Sequence, residues 1–108
     1  MFLIVSKYLV PKGYGGIAIF PFVFFRSRSS ASDPVSVNHE KIHLRQQAEL
    51  LVLPFFIWYL IEFIVRLVVC RNWSKAYKNI SFEREAYSNE KNLDYIAKRR
   101  WCKFLHYL

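Results

Sequence analysis

With 108 residues the chain suits one domain, 1–108, whose core will be modest. Hydrophobic residues make up 54% of it and aromatics 19%, above the ordinary globular range, so apolar surface is left for a membrane, a bilayer or a partner to cover. The formal charge of +8 suits anionic lipid or nucleic acid and says little about fold. Lys and Arg are scattered, which excludes a simple basic tail. Cys70 and Cys102 are too few and too far apart for a disulfide framework or a CxxC metal pattern; two buried or free thiols fit a reducing compartment. The start, MFLIVSKYLVPKG, lacks a basic n-region and a small-residue cleavage site, and reads as mature protein and not as a signal peptide.

Residues 2–10 are apolar with β-branched content, and KGYGG (12–16) reads as a turn. A short strand or hairpin is expected over 17–26, with Pro21 demoting it to an edge or a broken strand. RSRSSASDP (26–34) reads as a loop. Asp33-Pro34 looks like a helix start, a capping Asp followed by Pro at the first helical position. A helix is expected over 35–53, ending or kinking before Pro54. FFIWYLIEFIVRLVVC (55–70) is a second, apolar helix, and RNWS (71–74) is a break with Ser74 as a possible cap. A last helix should start between Ser74 and Ser81 and run to about Arg100. The expected fold is mainly α: a small bundle of three to four helices with a short N-terminal strand or hairpin.

The chemistry lies in HEKIH, residues 39–43. His39 and His43 stand four apart, so on a helix both imidazoles share one face and can share one metal. The composition would give H-E-x-x-H by chance on the order of once in a few hundred orderings, so the motif carries weight but does not decide alone. If the protein supplies three ligands, zinc keeps a fourth position open for water, so a third ligand is needed. Downstream, ISFEREAYSNE (80–90) offers Glu83, Glu85 and Glu90 on a helix.

In these two blocks the chain resembles the gluzincin metallopeptidases, in particular minimal ones of this length and small bacterial proteins with NHExIHxRQ and FEREAY blocks. The likeness concentrates in 38–47 and 80–90. In that group two histidines come from H-E-x-x-H and a glutamate from a later helix completes the site, in several branches within E-x-x-A-D. The resemblance therefore implies a zincin-like HExxH helix, Zn2+ as cofactor, and His39, His43 and Glu83 as its ligands. It implies Glu40 as general base toward the attacking water, and a peptide or protein substrate. Tyr87 stands where those branches carry Asp, which normally orients a ligand histidine. Asn38, Gln46 or Glu90 could take over that role. Tyr87, four residues after Glu83, is the candidate oxyanion stabiliser, with His106 a weaker one. Glu85 points elsewhere on the helix and reads as a solvated or salt-bridged carboxylate.

The stretch 50–70 is long enough to cross a bilayer, but Glu62 and Arg66 intrude and could pair. A straight helix from His43 to Cys70 would cover about 40 Å at 1.5 Å per residue, and Glu83 could then reach back only if the intervening chain were almost fully extended. A shared zinc and a straight spanning helix are therefore nearly exclusive. The chain is expected to fold back near Pro54, leaving 55–70 as core or as a monotopic or re-entrant element. Phe55, Phe56, Trp58, Tyr59 and Phe63 then serve as interfacial anchors or as core. Membrane lipid is the expected partner, at a bacterial inner membrane with the site facing the cytoplasm. A zinc-stabilised interaction module without catalysis is the alternative. The basic cluster Lys98, Arg99, Arg100 and Lys103, interleaved with Tyr95, Trp101 and Phe104, carries no recognised nucleic-acid motif, and no nucleic-acid partner is expected.

Overall fold

The computed structural model describes residues 2–11 and 13–108. It is mainly helical with a small three-stranded N-terminal sheet. Strands β1 (Phe2–Val5), β2 (Gly16–Ile19) and β3 (Phe22–Phe25) are arranged β1-β3-β2. β2 and β3 form an antiparallel hairpin, and β1 runs parallel to β3 with Phe2 opposite Phe22. Pro21 falls between the two hairpin strands, in a cis Phe20–Pro21 pair, and so interrupts neither. The β2 backbone is pressed close to β3: a Cβ on Gly16 would meet the Phe25 ring at 3.1 Å and the Phe24 carbonyl oxygen at 3.2 Å.

The stretch expected as loop, 26–34, contains a short helix α1 (Arg28–Ser32), capped by the Ser27 side chain. Helix α2 (Pro34–Leu50) starts where the sequence indicates: Asp33 accepts from the Val35 amide at 3.0 Å and the Ser36 hydroxyl at 3.1 Å, with Pro34 first in the helix. It ends earlier than Leu53. Leu51 adopts φ 63° and breaks the chain direction, and α3 (Val52–Cys70) follows at once. Pro54 lies in the first turn of α3, where its missing N–H breaks no helical bond. The chain does fold back here, one turn sooner than the proline suggested.

The expected long last helix is broken into α4 (Trp73–Lys78), α5 (Ser81–Asn89) and α6 (Tyr95–Lys98), with a 3₁₀ helix at Lys103–Tyr107. Tertiary partners replace helical ones at both breaks. Asn72, not Ser74, caps α4. Glu62 of α3 accepts from the Ser81 amide at 3.0 Å and from its hydroxyl, so a carboxylate from another helix sits at the start of α5. Glu62 is therefore spent on α5 and is not paired with Arg66. At the far end of α5, the Asn38 amide donates to the carbonyl oxygens of Asn89, Glu90 and Asn92, at 3.3, 2.8 and 2.9 Å, and stops the helix.

Two apolar clusters flank α2. Ala18, Val23, Phe25 and Leu44 join the sheet to one side of the helix. Phe55, Ile80, Phe82 and Phe104 join α3, α5 and the C-terminus on the other. Trp58, Tyr59 and Phe63 pack against this second cluster, so these aromatics belong to the interior, while Phe56 keeps 36% of its surface exposed. Between helices lies a buried ionic group. Arg99 donates to both oxygens of Glu85 and to Glu49, and Tyr95 donates to Glu85 at 2.7 Å. Burial would raise the Glu85 pKa, but hydrogen bonds from Arg99, Tyr95 and Gln46 hold it below its ordinary value. One member of the basic C-terminal cluster is thus internal.

Removing one partner of such a group leaves an uncompensated buried charge. Arg99→Met should lower unfolding free energy by about 3–5 kcal/mol, read as a shifted denaturant midpoint. A loss below about 1 kcal/mol, the range of exposed pairs, would show the group to be effectively solvated.

Candidate metal centre

The buried face of α2 is unusual for a helix in a small core: Asn38, His39, Glu40, His43, Gln46 and Gln47 are all buried on it. Burying polar groups costs free energy unless each finds a partner, so the partners show what this face is for.

His39 and His43, one turn apart on α2, bring their Nε2 atoms to 3.2 Å of each other. Glu83, from the first turn of α5, places Oε1 at 3.2 Å from the first and 3.0 Å from the second. The three residues are 6%, 5% and 3% exposed. Together they form a buried group that could hold a metal ion.

The far sides of the rings fix which nitrogens carry protons. His39 Nδ1 lies 2.9 Å from Glu90 Oε2, and an ionised carboxylate can only accept, so Nδ1 donates. His43 Nδ1 lies 2.8 Å from Gln46 Oε1. The Gln46 amide nitrogen is committed to the Phe82 carbonyl at 3.1 Å and to Glu85 Oε1 at 3.0 Å, both acceptors. Gln46 must therefore turn its oxygen to His43, and His43 Nδ1 donates as well. In the neutral rings both Nε2 atoms then present lone pairs. The remaining Glu83 oxygen accepts from Tyr59 at 2.7 Å. Three acceptor atoms thus face one another at contact distance, an arrangement that needs positive charge between them.

The electrostatics agree. Burial would lower the His43 pKa, but Glu83 outweighs it and pushes the imidazole up to about 9. Burial would raise the Glu83 pKa, yet His43 and His39 hold it well below the carboxylate range. With no metal considered, the group draws in a proton. Glu40 differs: burial pushes its carboxyl up, and the nearby His43 and His39 only partly offset this.

The three residues expected as possible histidine-orienting groups all make contacts around the site. Glu90 orients His39, Gln46 orients His43, and Asn38 fixes the backbone from which Glu90 projects. Glu83, Tyr87 and Glu90 share one face of α5 and its extension, and the Tyr87 ring lies edge-on to His39 with centroids 4.6 Å apart. Glu85 points away, into the Arg99 group. His106 is exposed on the C-terminal 3₁₀ helix and lines neither cleft.

Two clefts meet at the site. One, of about 550 Å³, passes His39, Glu40, Tyr87 and Glu90. The other, of about 650 Å³, passes Glu40, His43, Glu83 and the aromatics Phe55, Phe56 and Tyr59. Glu40 is the carboxylate common to both, and Tyr14, Trp73 and Tyr77 also line both. Sequence reasoning missed Tyr59 as a partner of Glu83, and Tyr77; Gln47, expected on or near the histidine face, does line the second cleft. Tyr59 sits three residues before Glu62 in an apolar run, so the two share a helix face; that spacing was the available signal. Gln47 bridges α2 to the sheet, donating to the Ala18 carbonyl at 2.7 Å and accepting from the Phe20 amide at 2.6 Å.

Outer partners of metal-binding histidines are typically worth about 10- to 100-fold in metal affinity. Gln46→Leu and Glu90→Gln should each weaken divalent-metal binding within that range, measured by competition with a chromophoric chelator; unchanged affinity in both would show that ring orientation is set elsewhere. No family model, curated protein or solved structure matches the chain, so what this site does has to be argued from its own geometry.

Proposed function

We propose that the chain is a zinc-dependent peptidase in which His39, His43 and Glu83 hold the ion and Glu40 acts as general base. The observation that carries this reading is the triangle of ligand atoms, with edges of 3.0, 3.2 and 3.2 Å. Zn–N and Zn–O bonds of about 2.0–2.2 Å in a tetrahedron require edges of about 3.3–3.5 Å. The group need open by only a few tenths of an ångström, about the play of a side-chain rotation. Two imidazoles and a carboxylate also match the donor set of catalytic zinc, which takes three protein ligands.

Zinc bound there supplies Lewis acidity, polarising a carbonyl and acidifying water at its open position. The other tasks fall to the chain. Glu40 takes the proton from the attacking water on a carboxylate oxygen, and its raised pKa brings it closer to neutral pH, where a general base works best. Tyr59 holds the second oxygen of Glu83, which keeps that ligand from swinging away. Tyr87, against the His39 ring, is the nearest candidate to donate to the oxygen that becomes negative. Tyr77, which lines both clefts, stands as a second.

An extended chain suits the two clefts better than a compact solute, because one passes His39 and Glu90, the other His43 and Glu83, and Glu40 lines both. The β2 edge supports a peptide. Antiparallel alternation turns the backbone groups of Gly16 and Ala18 off the sheet edge. Gln47 occupies the Ala18 carbonyl and the Phe20 amide, and the stretch nearer Gly16 lines both clefts. A peptide backbone could add there as a strand.

A purely structural metal is the competing reading, favoured by the near-complete burial of all three ligands. Metal binding would then contribute folding energy. One pair of variants separates the two. Glu83→Ala should lose most bound zinc. Glu40→Gln should keep zinc at the wild-type ratio and lose about 100-fold or more in hydrolysis of a mixed peptide library. Full hydrolysis by Glu40→Gln would sink the mechanism, and equal zinc in Glu83→Ala would sink the ligand set.

A further inference from the structure

Helix α3 has two faces with opposite fates. Phe55 is the buried residue among its 19, and Trp58, Tyr59, Glu62 and Phe63 lie on the same packed side. On the opposite side Ile57, Leu60, Ile61, Ile64, Val65 and Val68 are between 52% and 71% exposed. At helical spacing these six form one continuous stripe. A stripe of this kind is large for a lone molecule in water. The helix has a mean hydropathy of 2.1 with only 6% of that apolar window buried, so most of its apolar surface stays outside the interior.

We propose that the Ile57–Val68 stripe of α3 docks on an anionic bilayer surface, with the helix lying in the plane of the interface. Charge supports this occupant. Neither charged residue of α3 enters the stripe: Glu62 is turned inward onto Ser81, and Arg66, four residues on, shares its side. The helix ends at Arg71, and α4, packed against it, carries Lys75 and Lys78. All three cations are exposed, and none is in an ion pair among the described residues. Trp73, 62% exposed, stands between them. An apolar stripe ending in Trp and Lys/Arg is the pattern of an interfacial helix on anionic lipid. A second copy of the chain brings a further +8 to the interface, whereas anionic lipid supplies the opposite charge.

A flat orientation follows from the packing. Tyr59 is bonded to Glu83 and Glu62 to Ser81, so α3 cannot leave the globule to span alone. Carrying the globule with it would take polar chain packed against α3, including the α4 helix with Lys75 and Lys78, toward hydrocarbon, where exposed charge and unpaired backbone are costly. Lying flat buries the stripe and leaves those groups in water. The larger cleft is lined by Phe56, Leu60, Phe63 and Trp73 of this same helix and corner, so docking would set its mouth at the lipid surface.

The test is sedimentation of the full chain with phosphatidylcholine vesicles, with and without phosphatidylserine. Binding should favour phosphatidylserine and weaken with salt. Ile61→Glu with Val65→Glu should reduce it about tenfold or more, and Lys75→Glu with Lys78→Glu should erase the lipid preference. Thermal midpoints of both double variants should stay close to wild type, since the sites are exposed, and a chelator should leave vesicle binding unchanged, which separates this result from the fate of the metal reading. Absence of vesicle binding, or binding indifferent to Ile61→Glu with Val65→Glu, overturns the proposal. So does a wild-type dimer in light scattering that this variant dissociates while vesicle binding persists; the face would then belong to a second copy.

Discussion

Three lone-pair acceptors held within 3.2 Å of one another repel unless positive charge sits between them, and the fold holds them there. Each is tethered from behind by a group that cannot give way without losing its own bonds. Glu90 is placed by backbone that Asn38 clasps. Gln46 is pinned by Phe82 and Glu85, and Tyr59 rises from α3. The repulsion is thus borne by the tertiary structure as a whole, and a proton or a metal ion relieves it.

The tethers connect the site to distant parts of the chain. Glu85, which steadies Gln46, is itself held by Arg99 and Tyr95 from the C-terminal segment. Arg99 also reaches Glu49 at the end of α2. The orientation of His43 therefore depends on residues more than fifty positions away in sequence. In a low-dielectric interior such a network rigidifies where its members are satisfied, as Glu85 and Arg99 are, while Glu49 Oε1 is buried without a partner. α2 pays for its polar face by serving as the shared wall of two apolar clusters.

Helix α3 performs two unrelated tasks on its two sides. Its inner side supplies Tyr59 to a ligand and Glu62 to the start of α5. Its outer side presents apolar surface that nothing among the described residues covers. The same 19 residues satisfy both because helical periodicity separates the faces cleanly. Composition alone makes such a segment look uniform, and only its packing separates the two faces.

Much of the centre was legible in the sequence because its signals are local. HEKIH places two imidazoles on one face by helical geometry alone, and Asp33-Pro34 marks the start of that helix by local capping. Glu83, Tyr87 and Glu90 fall on one face by the same periodicity. The fold-back could be foreseen because chain length forbids a straight path from His43 to Cys70 and back to Glu83. What the tertiary structure decided was everything set by a partner far away in sequence. Leu51, not Pro54, makes the turn, since a proline in a helix's first turn breaks no bond. The last helix divides because Glu62 and Asn38 capture its backbone ends. Helical spacing puts Tyr59 on the Glu62 side and Gln46 near the histidines, but that Tyr59 meets Glu83, that Gln46 is held by Glu85, and that Arg99 is internal, come from contacts across the molecule. Local periodicity fixes which side chains share a face; only packing decides what that face meets.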